Sequence, residues 1–315
     1  MKNLDGAVNF REITCPSCQG GYLKSIGKIP DSDFFAGKQL SIKIPGGNLY
    51  KCHQCGLFFR YPRLVKNDAD KLYQFADSTH WKYRNKIRND WLLANTFLEN
   101  IKGGGAILDV ACWTGGFLSK QPDQWTKFGI EINQEAAVEA RKNGVDIIGN
   151  DIYKANHQFA GYFDVITAFD IIEHVDDPVE FVKTLLAYAR PGGYIFIGTG
   201  NTNAWAWKLA KNRYLYCWQP EHISFFNKQW FQYMQKELGY IMEEARIIFH
   251  NPPPFFVYRA LQFIANIFYL FAPLWFRNVR RLWWKVVKRT QRMVDDFPPS
   301  WITKDHLFVV LRKAE

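Results

Sequence analysis

The chain has 315 residues, of which 48% are hydrophobic and 17% aromatic, and a formal net charge of +10. Such a composition can bury a full core and predicts one large domain with attachments rather than two equal ones. Residues Met1–Glu12 carry charge and no apolar core, which excludes a secretory signal there and makes the cytoplasm the expected compartment.

Cysteine usage agrees, because four of the six cysteines form two C-x-x-C pairs while Cys112 and Cys217 stand alone. Cys15-Pro-Ser-Cys18 and Cys52-His-Gln-Cys55 each place two thiolates on a tight turn, and two such knuckles give one tetrahedral ion four sulfur ligands. The expectation is a structural zinc ribbon over residues 1–62. Its 33 intervening residues are many for such a unit, and a hairpin through Ile42–Tyr50 is expected to bring the knuckles together. A redox dithiol is the competing reading, and His53 is read as a bystander. Tyr61-Pro62-Arg63 then opens a linker into a helical stretch over 63–105, where Trp81, Tyr83, Arg84 and Trp91 belong to an interleaved aromatic and basic run.

At Ala106–Gly116 an apolar run ends in an acid and turns through small residues into Phe117 and Leu118. A buried strand, a glycine-bearing turn and a helix present backbone N–H groups to a ligand at the carboxyl edge of an α/β sheet. Apolar runs at Phe128–Ile130, Asp146–Ile148, Phe163–Phe169 and Tyr194–Ile197 alternate with helical patterns at Gln134–Lys142 and Pro178–Ala189. That alternation predicts a parallel sheet of βα units over residues 106–250.

Through AILDVACWTGG, KFGIEIN, DIIGNDI, FDVITAFDIIEHVDDP and ARPGGYIFIGTGN the chain resembles the class I S-adenosylmethionine-dependent methyltransferases, in the branch of the ubiquinone-type O-methyltransferases. The resemblance runs from Leu72 to His250 and takes in the chain's end. It implies an α/β fold with a Rossmann-like seven-stranded sheet. It also implies that Asp109, Ala111, Cys112, Gly115, Glu131, Ile132, Asp151, Ile152 and Asp170 border the cofactor. Glu131 would accept both ribose hydroxyls, Asp151 would lie near the adenine amino group, and the turn at Ala111–Gly115 would pass under the methionine part. Tyr83 and Arg84, on a covering helix, would reach the methionine carboxylate, with a solvated basic face as the alternative. Ala111 and Trp113 stand where the family has its first two glycines. Ala costs little there unless φ must be positive, whereas Trp would either strain the turn or shield the ligand from water.

Ligands of open α/β sheets bind outside the strands' carboxyl ends, where the fourth strand continues as Asp170-Ile171-Ile172-Glu173-His174. Methyl transfer needs an acceptor aligned with the sulfonium, plus a base when the acceptor is a hydroxyl. His174 has a suitable ordinary pKa, about 6.5, and Glu173 either orients it or shares a divalent ion with it. Farther on, Pro220–Phe226 follows an aromatic segment and by resemblance closes over the acceptor, which makes His222 the second candidate base. Asn251-Pro252-Pro253-Pro254-Phe255 is similar to the signature of amino-group methyltransferases, but it follows the sixth strand instead of the fourth and is not read as catalytic.

Phe255–Phe276 holds a single charge, Arg259, over 22 residues, long enough to cross a bilayer, which needs about 20. Both ends must return to one sheet, however, because His306–Leu311 is expected to slot antiparallel beside a sixth strand at Ile241–Phe249. The insertion over 251–300, ahead of a final strand in 301–315, is therefore read as a helical hairpin bent at Ala272–Pro273 and lying in the membrane interface. Arg259, Gln262 and Asn266 share one narrow helical stripe, while Val279, Leu282, Trp283, Val286 and Val287 oppose Arg277, Arg281, Lys285, Lys288 and Arg292. Asn251–Val294 carries 8 basic residues and no acidic one, against 13 basic and 17 acidic in Ala106–His250.

Anionic lipid is the expected partner of such helices, and a packed lid or dimer contact is the alternative. The expected activity is O-methylation of a small-molecule or lipid-linked acceptor, an envelope-glycan precursor or a prenylated quinone, by a peripheral or monotopic protein at the cytoplasmic membrane face. An RNA methyltransferase is the alternative, favoured by the net charge of +7 over Met1–Gly105 and opposed by the acidic core. A non-catalytic binding module is the third reading.

Overall fold

The computed structural model describes residues 13–315 apart from 65, 75–87, 155–156, 253–254, 287–297 and 300. Strands β1 (Leu23–Lys28), β2 (Ser32–Phe35), β3 (Lys38–Ile44), β4 (Asn48–Cys52) and β5 (Phe58–Tyr61) come first, followed by helices α1 (Lys66–Gln74) and α2 (Asn89–Glu99). Next come β6 (Gly105–Val110), β7 (Trp125–Ile130), α3 (Gln134–Lys142), β8 (Asp146–Gly149), β9 (Phe163–Phe169), α4 (Pro178–Tyr188) and β10 (Ala189–Gly200). The chain then forms α5 (Trp205–Ala210), α6 (Leu215–Trp218), β11 (Ser224–Phe225), α7 (Lys228–Leu238), β12 (Ile241–Ile248), α8 (Phe256–Phe271), α9 (Pro273–Val286) and β13 (His306–Arg312).

The central sheet runs β12-β13-β10-β9-β6-β7-β8. Its strands from β10 to β8 are parallel, and β13 lies antiparallel between β10 and β12. Parallel strands covered on both faces read as continuous apolar runs, and β6 accordingly buries everything from Ala106 to Val110. Caps fix the helices that cover it: Asp177 accepts from the N–H groups of Val179 and Glu180 ahead of Pro178, and Asn133 accepts from that of Ala136. Because β7 and β8 build outward on one side of β6 while β9 and β10 build on the other, a crevice opens at the carboxyl ends of β6 and β9.

The N-terminal strands do not stand apart from this core. A second sheet, β1-β4-β5-β11, ends on a strand from the far half of the chain, with Ser224 opposite Phe59. Cys15, Cys52, Cys55, Leu57 and Phe59 share one apolar cluster with Phe226, Trp230 and the sheet. The knuckles are brought together by β1 pairing with β4, Leu23 opposite Cys52, and not by a hairpin through Ile42–Tyr50. β3 turns back on β2 instead, because Phe35, Ala36 and Ile44 bury against Leu40, Leu64, Leu72 and Tyr73 in a small core of their own. The long spacing between knuckles is thus taken up by an arm, β2–β3 with α1.

Helices α8 and α9 break at Ala272, before Pro273. No helix among the described residues is long and apolar enough to cross a membrane. The polar stripe of α8 turns inward: Asn266 is buried and Gln262 half-buried, while Phe255, Phe256, Ile264 and Phe271 are exposed. In α9, Val279, Leu282, Trp283 and Val286 are all more than half exposed. Trp205 and Trp301, at 5.2 Å, grip Phe263 and root the pair on the core.

Candidate active site

The crevice is a cleft of about 1150 Å³. That exceeds the roughly 300–1,000 Å³ of a single small-ligand site, so it has room for a cofactor and an acceptor side by side. On its cofactor side the turn after β6 holds Ala111 at φ 60°, Trp113 at φ 51° and Gly115 at φ 72°. All three are left-handed, the conformation that favours glycine; each non-glycine costs about 1–2 kcal/mol. Two backbone N–H groups secure the loop end by end through Glu131: that of Trp113 donates to Oε2 at 2.8 Å and that of Asn133 to Oε1 at 2.7 Å. Burial raises the Glu131 carboxyl above its ordinary range against the pull of these bonds. Asp109, buried under the same turn, accepts from the Thr167 hydroxyl at 2.7 Å and is pushed up to about 7 by burial. Ile132, Cys112, Asp151 and Ile152 also line the cleft, and Asp151 accepts from the Tyr153 N–H at 3.0 Å. Glu131 keeps lone pairs for a vicinal diol, and the turn offers the open backbone such a cofactor needs.

Asp170, at φ 53°, lies in an ionic cluster that sequence reasoning missed. Arg88 Nη2 sits 2.8 Å from its Oδ2 and also clasps the buried Asp90, His250 Nε2 donates at 3.0 Å, and His306 stacks on His250. Burial alone would raise the Asp170 carboxyl, but Arg88 and the two histidines outweigh it and hold it well below the usual carboxylate range. Although Asp170, His250 and His306 could group around a metal ion, the guanidinium already fills the cationic place. Tyr83 and Arg84 lie outside the described residues; Arg88, four residues on from Arg84, lines the cleft.

Opposite, Glu173, His174 and His222 converge, with ligand-capable atoms within 4.8 Å of one another. Glu173 is fully buried, accepts from Thr199 Oγ1 at 2.8 Å and from the Tyr216 hydroxyl, and is pushed up to about 7 by burial and by the charge of Asp170. Both its oxygens are thus engaged in hydrogen bonds. His222 Nδ1 lies 2.9 Å from the Tyr216 carbonyl and His174 Nδ1 lies 3.1 Å from that of Glu221. A carbonyl only accepts, so His222 carries its proton on Nδ1 and leaves Nε2 basic, whereas His174 Nδ1 faces both the Glu221 carbonyl, which accepts, and the Tyr73 hydroxyl, which can donate or accept. Burial holds both rings below their ordinary pKa, His222 furthest because His174 adds to the effect. His174 lines the cleft; His222 is buried behind it, with its ring 4.8 Å from that of His174.

The arm supplies the remaining wall. Phe35, Ala36, Leu64, Ala69 and Tyr73 all face the cleft. Tyr73 places its hydroxyl 2.9 Å from His174 Nδ1, and the Ala36 N–H donates to Glu221 Oε1 at 3.0 Å. No motif marks these residues in sequence, since their neighbours come from more than a hundred positions away.

The four cysteine sulfurs form the third cluster, with Cys15 to Cys55 at 3.6 Å and Cys18 to Cys52 at 3.5 Å. Sulfurs around a zinc at about 2.3 Å stand about 3.8 Å apart, whereas disulfide sulfurs touch at about 2.05 Å. The set fits a tetrahedral thiolate ion, and Gln19 and Gly56, both at positive φ, close the two knuckles.

Sheet order, crevice and acidic strand ends together define an S-adenosylmethionine-dependent methyltransferase. A profile described as "Methyltransferase domain" matches residues 80–245, more than half of the chain, and the chain belongs to that family. It is 30% identical over 212 residues to a ubiquinone biosynthesis O-methyltransferase of Thiobacillus denitrificans, spanning 59% of this chain and 88% of the relative. The counterpart in Erwinia tasmaniensis is 32% identical over 134 residues, spanning 40% and 54%. The chain thus spans about half the length of several curated relatives it matches. Among solved structures, phosphoethanolamine N-methyltransferase 2 of Haemonchus contortus, in complex with S-adenosyl-L-methionine, is 15% identical, with a TM-score of 0.49 over 82% of this chain and 62% of that one.

Proposed function

We propose that this chain O-methylates an apolar, membrane-borne acceptor, a lipid-linked or envelope-glycan precursor or a prenylated quinone, from the cytoplasmic face of a membrane. S-adenosylmethionine supplies an electrophilic methyl group on a sulfonium. Glu131 accepts the ribose hydroxyls, Asp151 lies at the adenine end, and the turn at Ala111–Gly115 lies beneath the methionine part, with Asp109 and Asp170 bordering it. Arg88, and not the Tyr83/Arg84 pair alone, supplies positive charge beside the methionine end. The acceptor lies between His174 and the apolar wall of Phe35, Leu64 and Tyr73, where His174 Nε2 takes the hydroxyl proton as the oxygen attacks. His222 and Glu173 act as positioning residues. Cys15, Cys18, Cys52 and Cys55 hold a structural zinc that sets the root of the arm.

The observation that carries the membrane assignment is the inverted hairpin: α8 buries Asn266 and exposes Phe255, Phe256, Ile264 and Phe271. Isolated exposed apolar residues are ordinary, but a contiguous patch on two successive helices marks an interaction surface. Its cationic flank suits anionic lipid. The names of the matched relatives support oxygen as the target. Flotation with vesicles of phosphatidylcholine and phosphatidylglycerol tests the reading: the intact protein should float, and a version with Phe255–Val294 replaced by a short Gly/Ser loop should stay soluble, bind cofactor and remain in the dense fraction. An intact protein that ignores vesicles would make the hairpin a packing or dimer surface.

A further inference from the structure

The arm reaches His174 by two routes. Tyr73, half-buried near the end of α1, places its hydroxyl 2.9 Å from Nδ1, with its ring edge-on to the imidazole at 6.2 Å and braced by Phe35 at 5.0 Å. Glu221 provides the second: its main-chain carbonyl lies 3.1 Å from the same Nδ1, while its carboxylate accepts from the Ala36 N–H in the turn between β2 and β3. Ala36 is 1% exposed and holds φ at 44°, so the turn keeps this place at the expense of a left-handed alanine. One imidazole nitrogen thus has two oxygens within hydrogen-bond distance, one from the arm and one from the loop ahead of β11.

That crowding selects a tautomer. In a neutral ring each nitrogen is either an N–H donor or a bare lone pair. Were Nδ1 the lone pair, it would face the lone pairs of a carbonyl that has no proton to offer, and the contact would be repulsive. As an N–H it is shared by both oxygens in a three-centre bond. Tyr73 then accepts, its own proton turns away from the ring, and Nε2 is left bare. We propose that Tyr73 is a positioning residue: its oxygen, delivered by the arm, fixes the His174 proton on Nδ1 and so presents Nε2 to the acceptor as the base. The inference rests on the reading of His174 as the base. It gives the arm a part in the reaction beyond walling the acceptor, because base and arm are latched together through Tyr73 and through Glu221.

Long-range nitrogen–proton correlation spectra of the full-length protein, labelled at its histidine ring nitrogens, read the tautomer of each ring without any acceptor present, and His174→Gln assigns the signal. Above the pH at which the ring titrates, the native protein should show a protonated Nδ1 and a bare Nε2 at His174. Tyr73→Phe keeps the ring and its contact with Phe35 but removes the oxygen. In that variant the ratio of Nδ1–H to Nε2–H tautomer should fall by roughly 2–12-fold, the worth of one neutral hydrogen bond, and the Nδ1 proton resonance should move upfield. Tyr162→Phe, which alters an exposed tyrosine, should change neither. In methyl transfer to the lipid fraction, Tyr73→Phe should lower kcat by the same factor with KM and cofactor Kd unchanged. A Tyr73→Phe spectrum that matches the native one would overturn the proposal and leave the base reading intact. A native ring that carries its proton on Nε2, or an unchanged kcat in Tyr73→Phe, would overturn it as well. The base reading fails separately, if His174→Gln methylates as fast as the native protein.

Discussion

Replacing Glu131 by Gln probes the cofactor turn at its most constrained point. The carboxylate is 5% exposed and its two oxygens accept from the N–H groups of Trp113 and Asn133 at 2.8 and 2.7 Å. An amide keeps the size but replaces one accepting oxygen with an NH2 group, which then faces a backbone donor. The remaining oxygen cannot serve both ribose hydroxyls as well as its own backbone partner. Losing one charge-assisted bond to the ligand costs about 1.5–3 kcal/mol, which is roughly a 10–150-fold rise in Kd. The buried N–H left facing the amide costs the ligand-free protein about 1–3 kcal/mol more, with Trp113 and its left-handed backbone the first to loosen. Calorimetric titration with S-adenosylmethionine, paired with denaturant unfolding of the free protein, measures both quantities. An unchanged Kd would refute the ribose assignment; a stability loss with unchanged Kd would reduce Glu131 to a turn anchor.

His174→Gln should lower kcat/KM by about 10²–10⁴-fold while cofactor affinity stays the same; a mild effect would remove the general base from the account. Because burial holds the His174 pKa below 6.5 and the neutral ring is the active form, the acid limb of kcat/KM should lie below pH 6.5, and a limb above that value would contradict the assignment. Ala111→Gly releases a left-handed alanine at φ 60° and should raise stability by about 0.5–1 kcal/mol after the entropy cost of glycine, as urea unfolding would measure. Metal analysis of freshly reduced protein should give about one zinc per chain, and Cys52→Ser should lose it along with solubility before cofactor binding fails.

The central sheet was legible because its strands are buried on both faces and their apolar runs are bounded by turns. Its helices were legible from the helical patterns at Gln134–Lys142 and Pro178–Ala189 between those runs; the caps at Asn133 and Asp177 came from the structure. Glu131 could be placed because a strand-end carboxylate sits at a fixed spacing from the first turn. Positive φ at Ala111 and Trp113 could only be conditional in sequence, since side-chain identity alone does not reveal whether the turn keeps its geometry; the backbone does keep it and carries the strain. The long gap between the two cysteine pairs was read as a hairpin because nothing local tells Phe35 and Ala36 that they will pack beside Leu64, Tyr73 and Glu221. Arg88 was hidden for a related reason: its partner Asp170, and the His250 and His306 that share that carboxylate, come from three separate strand ends. The inverted hairpin was half legible. Helical phasing identified the stripe of Arg259, Gln262 and Asn266, but only the fold shows that Gln262 and Asn266 turn inward.

Incubating the full-length protein with methyl-labelled S-adenosylmethionine and separated lipid, glycan and RNA fractions tests the account most directly. The account predicts label in the lipid or lipid-linked fraction, on oxygen, abolished by His174→Gln and by removal of Phe255–Val294. Label carried instead by RNA, or by a water-soluble acceptor whose methylation is indifferent to loss of the hairpin, would contradict it.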